Sequence, residues 1–371
     1  MEEPVPMYDL VVIGSGPAGS SAAITAARSG ARTLLLERGR FPRTNVCGEF
    51  VSAESLGLLS WLLDSRGKDL LNEANRIPKL RIFSDGLVLT SQLDPPAASV
   101  SRFDLDAALW EAAGSSGVEA REQITVEALS GGGPFIVCAG ENAFESRSVI
   151  NASGRWSRLT AAGLINSKPG KKWLGVKAHF AEEQLSQSVD LYFFPGGYCG
   201  VQPVVLRSQG KENRINVCAM VRTDIASTLS GVFEQNSFLQ ERSRHWSQLT
   251  EPVSTSPLIF REPRPLQGNV LLAGDAAAFV DPFVGDGISL ALRSGALAAR
   301  ALIPYVSKRT SLAAAAQSYR RAYESELGPV FRVSSRLRPI FFLLPRVLRV
   351  ALLAGLKRSP ALVRYFVQHT R

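Results

Sequence analysis

Residues 8 to 37 constrain the fold more than any other stretch of the chain. An apolar run, Leu10 to Ile13, meets the turn Gly14-Ser15-Gly16-Pro17-Ala18-Gly19. A segment of small residues follows to about Ser29, then a second apolar run, Thr33 to Leu36, closed by Glu37. The order is strand, turn, helix, strand, and a short crossover helix makes the two strands parallel. In such a turn Gly14 permits the tight bend, Gly16 lets backbone approach a pyrophosphate, and Gly19 lets the helix pack closely on the strand. The phosphates would sit at the helix N-terminus, where free N–H groups and the helix dipole favour negative charge. Glu37, 18 residues beyond Gly19, is placed to accept from the hydroxyls of an adenosine ribose. Glu37, followed by Arg38, also argues against a 2′-phosphate, which the carboxylate would repel. The unit predicts a site for FAD or NAD.

Farther along, Arg102 to Ala113 has helical spacing that Gly114 to Gly117 stop. Ile124 to Leu129 and Phe135 to Cys138 flank Gly131-Gly132-Gly133 as the arms of a hairpin, and Val149 to Ala152 reads as a buried strand. Between Trp173 and Arg222 apolar and polar residues alternate, as in Asp190 to Phe194, Val201 to Leu206 and Arg214 to Met220. That alternation predicts an antiparallel sheet with one wet face. Buried texture returns at Val270 to Ala273, followed by Gly274-Asp275 and a helix from about Gly287 to Leu302. A first domain is thus interrupted by a second. The reading places the dinucleotide domain at residues 1–75, 98–165 and 262–325, the inserted domain at 76–97 and 166–261, and a helical tail at 326–371. Asp94-Pro95-Pro96 is the expected crossing between the two domains, and a chain of 371 residues accommodates both.

The 42 Lys and Arg against 33 Asp and Glu give a net charge of +9. The whole excess lies in the tail. After Glu326 there is no acidic residue, while Arg332, Arg336, Arg338, Arg346, Arg349, Lys357, Arg358, Arg364 and Arg371 are all cationic. The main body is neutral, which argues against nucleic acid as a partner. Arg346, Arg349 and Lys357 fall on one helical arc among leucines, valines and alanines. The tail is therefore a candidate cover for a substrate mouth, or a peripheral membrane contact. Pro345, Arg346 and Arg349 interrupt its apolar stretch, so no transmembrane helix is expected. Glu2 and Glu3 stand where a signal peptide would carry positive charge, and the chain reads as cytoplasmic. Cys47, Cys138, Cys199 and Cys218 form no Cys-x-x-Cys pair, and His179, His245 and His369 lie far apart in sequence. Neither a disulfide framework nor a metal site is predicted.

The second glycine motif runs Ala273-Gly274-Asp275-Ala276-Ala277-Ala278-Phe279-Val280-Asp281-Pro282-Phe283-Val284-Gly285-Asp286-Gly287-Ile288. Here the sequence resembles the flavoprotein superfamily of p-hydroxybenzoate hydroxylase, and within it the geranylgeranyl reductase-like branch. The resemblance implies FAD as cofactor, with Asp275 on the ribityl chain and the backbone of Gly287 and Ile288 at the pyrimidine edge of the flavin. That edge is anionic in a reduced flavin, and helix-terminal N–H groups stabilise it. Val46-Cys47-Gly48-Glu49-Phe50 is similar to the Cys-Gly-Glu segment that runs beside the flavin in the reductase-like branch. Arg102, in Ser-Arg-Phe-Asp-Leu-Asp, matches a helix-opening Arg that contacts FAD there, and Val126 sits where backbone usually meets adenine. Cys47 is also the one side chain that the resemblance offers as catalytic beside the flavin itself.

Three departures narrow the expectation. Asn151-Ala152-Ser153-Gly154-Arg155-Trp156-Ser157 resembles a second fingerprint in which an Asp stands at the place of Ser153, so reduction by NAD(P)H is set against a protein electron donor. Asp190 to Gly196 keeps only Phe194-Pro195 of a reductase signature, and the Trp-x-Trp-x-Ile-Pro signature of flavin halogenases is absent. Tyr192, Phe194, Tyr198 and Pro282 are the candidate substrate residues, with Tyr192 and Phe194 on one face of a strand and Phe193 on the other. The expected architecture is α/β: a Rossmann-like FAD domain of the glutathione reductase type, an inserted antiparallel β-sheet substrate domain and a helical C-terminal tail. The leading functional reading is a monooxygenase, a hydroxylase of a hydrophobic or aromatic small molecule. The alternatives are flavin-dependent reduction of isoprenoid-like double bonds, and a flavin-binding scaffold at a membrane surface.

Overall fold

The computed structural model describes residues 7–155, 159, 172–207, 213–342, 344–357 and 359. Of the residues singled out above, Glu2, Glu3, Trp156, Ser157, Arg358, Arg364, His369 and Arg371 lie outside these.

The strand Tyr8–Ile13 is buried along its length and lies between Thr33–Leu36 and Asn142–Asn151, parallel to both. Val270–Leu272 adds a parallel strand beyond Asn142–Asn151, and Glu119–Arg121 adds one beyond Thr33–Leu36. Branched and leucine side chains on these inner strands bury both faces, as a parallel sheet covered on both sides requires. The hairpin expected around Gly131 to Gly133 forms between Ala128–Gly131 and Phe135–Ala139. Against this sheet lie the helix Pro17–Ala27, which opens at the glycine turn, and the helix Gly287–Val306. Their approach is close enough that a Cβ on Gly295 would come within 2.0 Å of the Ala18 carbonyl oxygen.

A second sheet contains nine strands among the described residues. Its centre is antiparallel: Trp173–Ala181 pairs with Arg214–Arg222, which pairs with Gly197–Pro203, which pairs with Ser188–Phe194. Ser188–Phe194 then pairs in parallel with Asn75–Ser84, one arm of a long hairpin with Leu87–Ser99. Asp94, Pro95 and Pro96 lie inside that second arm, opposite a register shift between Ile77 and Lys79. Pro95 and Pro96 have no N–H to give the ladder, so the break in register falls where they are.

The expected wet face does not exist. Leu174, Val176, Ala178 and Phe180 of one strand pack with Ile215, Val217, Ala219 and Val221 under Leu229, Val232 and Leu239 of two short helices. The alternate residues, including Lys177, His179, Asn216 and Gln202, are on the opposite face and are buried there as well. Alternation in this segment separates a packed outer face from an inner one on which Gln202 reaches the cavity wall and Lys177, His179 and Asn216 bond the Cys47–Glu49 segment.

Among its described residues the tail is helical, as expected, in two segments, Gly328–Phe342 and Arg346–Lys357. Arg349 does not share the outer arc with Arg346 and Lys357. It is buried, donates from Nε and Nη2 to the Asp85 carboxylate at 2.5 and 2.8 Å, and ties the last helix to the turn between Ser84 and Leu87.

Candidate active site

The parallel strands end at one edge of the first sheet, the place where open α/β sheets bind ligands. A cavity of about 1380 Å³ begins there and runs between the two sheets to the tail helices. It exceeds the roughly 300–1,000 Å³ of a single small-molecule pocket, so it has room for a cofactor and a second molecule together.

At the sheet edge the wall is built by Gly14, Gly16, Pro17, Ala18, Glu37, Arg38, Arg43 and Val126. Gly14 has φ +93°, and a Cβ there would meet the Ala152 carbonyl oxygen at 2.6 Å. A Cβ on Gly19 would lie 1.7 Å from the Gly14 carbonyl oxygen, so these two glycines serve the packing of turn, strand and helix. Gly16 differs: a Cβ there meets no protein atom within 4 Å and would project into space on the cavity side. Its backbone, φ −71° and ψ −177°, is open to any residue, so the need for glycine at this point comes from what must lie against it. No side chain caps the helix that follows, and no acidic residue stands in its first turn. Ser15 and Gly19 are behind the wall: the Ser15 N–H donates to Glu37 Oε2 at 2.9 Å, holding the turn to the strand end. Burial pushes the Glu37 carboxyl up, but Arg43, 2.6 Å away, and the N–H groups of Gly39 and Ser15 outweigh it and hold the group below its usual range.

In the middle of the cavity the wall carries Cys47, Gly48, Glu49, Arg102, Ser153, Asp275, Gly287 and Ile288. The helix Gly287–Val306 starts here without a side-chain cap and without acid in its first turn. Asp286, just before it, accepts from the Ser52 hydroxyl at 2.8 Å, and burial pushes its carboxyl up to about 6. Asp275 faces Arg155 at 3.3 Å, and Arg155 in turn lies over the Phe279 ring. Arg102 is clamped by Asp106 at 2.7 Å, and its N–H donates to Glu49 Oε1 at 2.9 Å. Lys177 Nζ also donates to that oxygen, at 2.5 Å, and His179 Nε2 lies 2.9 Å from Glu49 Oε2. All three side chains are buried. Burial pushes the Glu49 carboxyl up, but Lys177 and His179 outweigh it and hold the group down at about 2. The Ser153 N–H donates to Asn151 Oδ1 at 3.1 Å, and its hydroxyl bonds the same oxygen.

The far end is apolar. Leu80, Ile82 and Leu89 come from the long hairpin, Val189, Leu191 and Phe193 from Ser188–Phe194, and Met220 from the next strand but one. Phe283 closes one side, and Leu337, Ile340 and Phe341 of the tail roof it, with Phe341 stacked on Phe193 at 4.1 Å between ring centroids. Of the candidate substrate residues, Tyr198 and Pro282 are on this wall. Tyr192 and Phe194 are not: the strand turns them to the outer face, where Tyr192 stacks on Phe83 and its hydroxyl accepts from Arg242 at 3.0 Å. Their partner of opposite parity, Phe193, takes the place expected of them. Sequence reasoning also missed Lys177, His179 and Arg155. Two titratable residues at alternate positions of one strand were a signal for Lys177 and His179, but read as a solvated face they pointed outward.

The family described as "FAD dependent oxidoreductase" matches residues 9–47, the stretch that holds the glycine turn and Glu37. Digeranylgeranylglycerophospholipid reductase 2 of Methanopyrus kandleri is 27% identical over 354 residues, covering 90% of this chain and 86% of that protein. A menaquinone reductase of Mycobacterium tuberculosis is 26% identical, covering 79% of this chain and 76% of that one. Among solved structures, the flavin-dependent brominase Bmp2 superposes with a TM-score of 0.80 at 19% identity, covering 98% of this chain and 93% of that one, a likeness of fold. The expected FAD-dependent oxidoreductase on a Rossmann-like fold with a substrate domain is borne out, as is the resemblance to the geranylgeranyl reductase-like proteins.

Proposed function

We propose that this FAD-dependent oxidoreductase reduces carbon–carbon double bonds of a long isoprenoid-like lipid. The observation that carries the reading is the apolar far end of the cavity, where aliphatic and phenyl groups from six elements meet and Tyr198 supplies a phenol that burial pushes well above its usual range. A small phenolic substrate of a hydroxylase would need polar groups to fix its orientation; a branched hydrocarbon chain needs only shape and apolar surface. The similarity to reductases of geranylgeranyl lipids and of menaquinone supports the same choice. This moves the reading from hydroxylation, the leading expectation of the sequence, to its alternative.

In this proposal the pyrophosphate of FAD lies against Gly16 and the N-terminus of Pro17–Ala27, Glu37 takes the ribose, and Val126 lies at the adenine. Asp275 accepts from the ribityl chain, and the N–H groups of Gly287 and Ile288 face the pyrimidine edge. Bound there and reduced, FAD would supply a hydride to one carbon of a double bond, and the Tyr198 phenol on the cavity wall would supply the proton to the other. The chain's own residues hold the reacting parts and keep water out: Cys47, Gly48 and Arg102 line one side, Pro282 and Phe283 the other, and Leu337, Ile340 and Phe341 close the top. NAD(P)H or a protein donor delivers the electrons, and the uncharged Ser153 favours a protein donor. Replacement of Asp275 by Ala is expected to weaken FAD by about 1.5–3 kcal/mol, the worth of a charged hydrogen bond, measured by titrating apoprotein with FAD. Unchanged affinity would remove Asp275 from the cofactor site. The reading itself is tested by incubating dithionite-reduced holoenzyme, without oxygen, with a geranylgeranyl glycerolipid. The expected product is heavier by one dihydrogen for each bond saturated; a product that forms only with oxygen and gains an oxygen atom would establish hydroxylation instead.

A further inference from the structure

The last helix among the described residues, Arg346–Lys357, is apolar on both sides. Leu353 and Leu356 face inward and line the cavity, and Leu352, at the border of the two sides, reaches its wall as well. Outward, Val347 is 79% exposed, Leu348 56% and Leu352 39%, and Ala351 and Gly355 are exposed on the same face. A helix packed on a protein in water presents polar residues outward. This one presents five residues without a polar side chain, and further cations are exposed at its ends and on the helix before it. Arg346 and Lys357 are exposed at its two ends, and Arg332 and Arg336 are exposed on the preceding helix, Gly328–Phe342. No acidic residue occurs in the sequence after Glu326. Asp85, which approaches Arg346 at 3.7 Å, is already held by Arg349 and leaves the surface positive.

The helix is also fixed in place. Arg349 pairs with Asp85 and donates to the carbonyls of Phe341 and Leu344 at 3.3 and 3.2 Å. Arg338 of the preceding helix donates to Asp281 at 2.8 Å and lies over the Phe260 ring. Two aspartates, the half-buried Asp85 on the substrate-sheet hairpin and the buried Asp281 beside the Pro282–Phe283 wall, thus hold the tail with its apolar face outward.

We propose that this face docks the enzyme on an anionic phospholipid bilayer, with Val347 and Leu348 in the acyl–headgroup boundary and Arg332, Arg336, Arg346 and Lys357 on the lipid phosphates. Charge selects this occupant over a second copy of the chain, because a self-complementary contact would set these cations against their own equivalents with no acidic residue on either helix. The arrangement is that of an interfacial helix, whose binding rests on buried apolar area and attraction to anionic lipid together. No helix among the described residues is long and apolar enough to cross a membrane, so the contact is made from one side. The docking stands apart from the substrate reading and is tested without turnover; on that reading, it also puts the apolar cavity wall one helix away from the bilayer that holds the lipid.

The experiment is co-sedimentation of the full-length holoenzyme with vesicles of phosphatidylcholine alone and of phosphatidylcholine mixed with phosphatidylglycerol. The wild type is expected to bind the mixed vesicles, and added salt to weaken that binding. Val347→Asp with Leu348→Asp is expected to lower partition about tenfold or more, and Arg332→Glu with Arg336→Glu to abolish the preference for anionic lipid. These four side chains are not on the cavity wall, so both variants keep their flavin absorbance, which verifies that they fold. Equal, weak binding of the wild type to both vesicles would overturn the proposal. So would a wild-type dimer in solution that Val347→Asp converts to monomer with no effect on vesicle binding, since the face would then join two copies.

Discussion

Gly16→Val is expected to purify as a folded protein without flavin absorbance and to take up no FAD when it is added. The backbone at Gly16 is extended and open to any residue, and a Cβ would touch no protein atom within 4 Å. The valine therefore costs the fold little, while its side chain fills the space that a pyrophosphate needs at the mouth of an uncapped helix. Gly14→Val and Gly19→Val provide the contrast. Their Cβ atoms would come within 2.6 Å of the Ala152 carbonyl oxygen and 1.7 Å of the Gly14 carbonyl oxygen, so both are expected to lose the fold along with the cofactor. Circular dichroism and a flavin spectrum on the three proteins separate the two outcomes. A flavin-bound Gly16→Val would mean that the cofactor lies elsewhere.

Glu49→Leu is expected to destabilise the protein by about 3–5 kcal/mol, the cost of leaving one partner of a buried ion pair without its counterpart. Glu49 itself has φ +59°, a left-handed conformation uncommon for a residue with a side chain, and the donors from Lys177, His179 and the Arg102 N–H hold it there. Without the carboxylate the Lys177 ammonium faces His179 in a dry interior, and the segment bearing Cys47 and Gly48 loses its tether. Glu49→Leu with Lys177→Met is expected to recover much of the loss, because replacing both ions by apolar groups leaves no buried charge behind. Urea unfolding of both variants measures this. The same group sets an acid limit. Its folded pKa of about 2 lies below the unfolded value of about 4.3, so its contribution is complete above about pH 5 and is lost as pH falls from there toward 2. Wild type is expected to lose stability across that window, and the double variant to lose less.

The first sheet was legible in the sequence because its signals are local. A glycine turn, two apolar runs and a carboxylate at fixed spacing are enough to predict parallel strands and the edge at which a ligand binds. The tail helices were legible for the same reason. What the sequence hid depends on partners far along the chain. The polar residues of Trp173–Ala181 suit a wet face as well as a buried one, and only the arrival of Glu49, more than a hundred residues earlier, makes Lys177 and His179 interior groups. Parity along Ser188–Phe194 was read correctly, yet which parity meets the cavity is decided by Arg242 and Phe83 on the outer side and by Phe341 on the inner. Arg349 looked like one of three surface cations; Asp85, in a distant hairpin turn, makes it a buried tether.

The central claim is that one continuous cavity brings FAD and an apolar chain together so that the chain's double bonds accept the electrons. Its most direct test is to reduce the holoenzyme with dithionite under strict exclusion of oxygen, mix it in a stopped-flow instrument with a solubilised geranylgeranyl lipid, and follow the flavin absorbance. The account predicts that the oxidised spectrum returns without oxygen, at a rate that rises with lipid concentration, and that a fully saturated analogue leaves the flavin reduced. Absorbance that stays bleached with the unsaturated lipid and recovers only when air is admitted would contradict it.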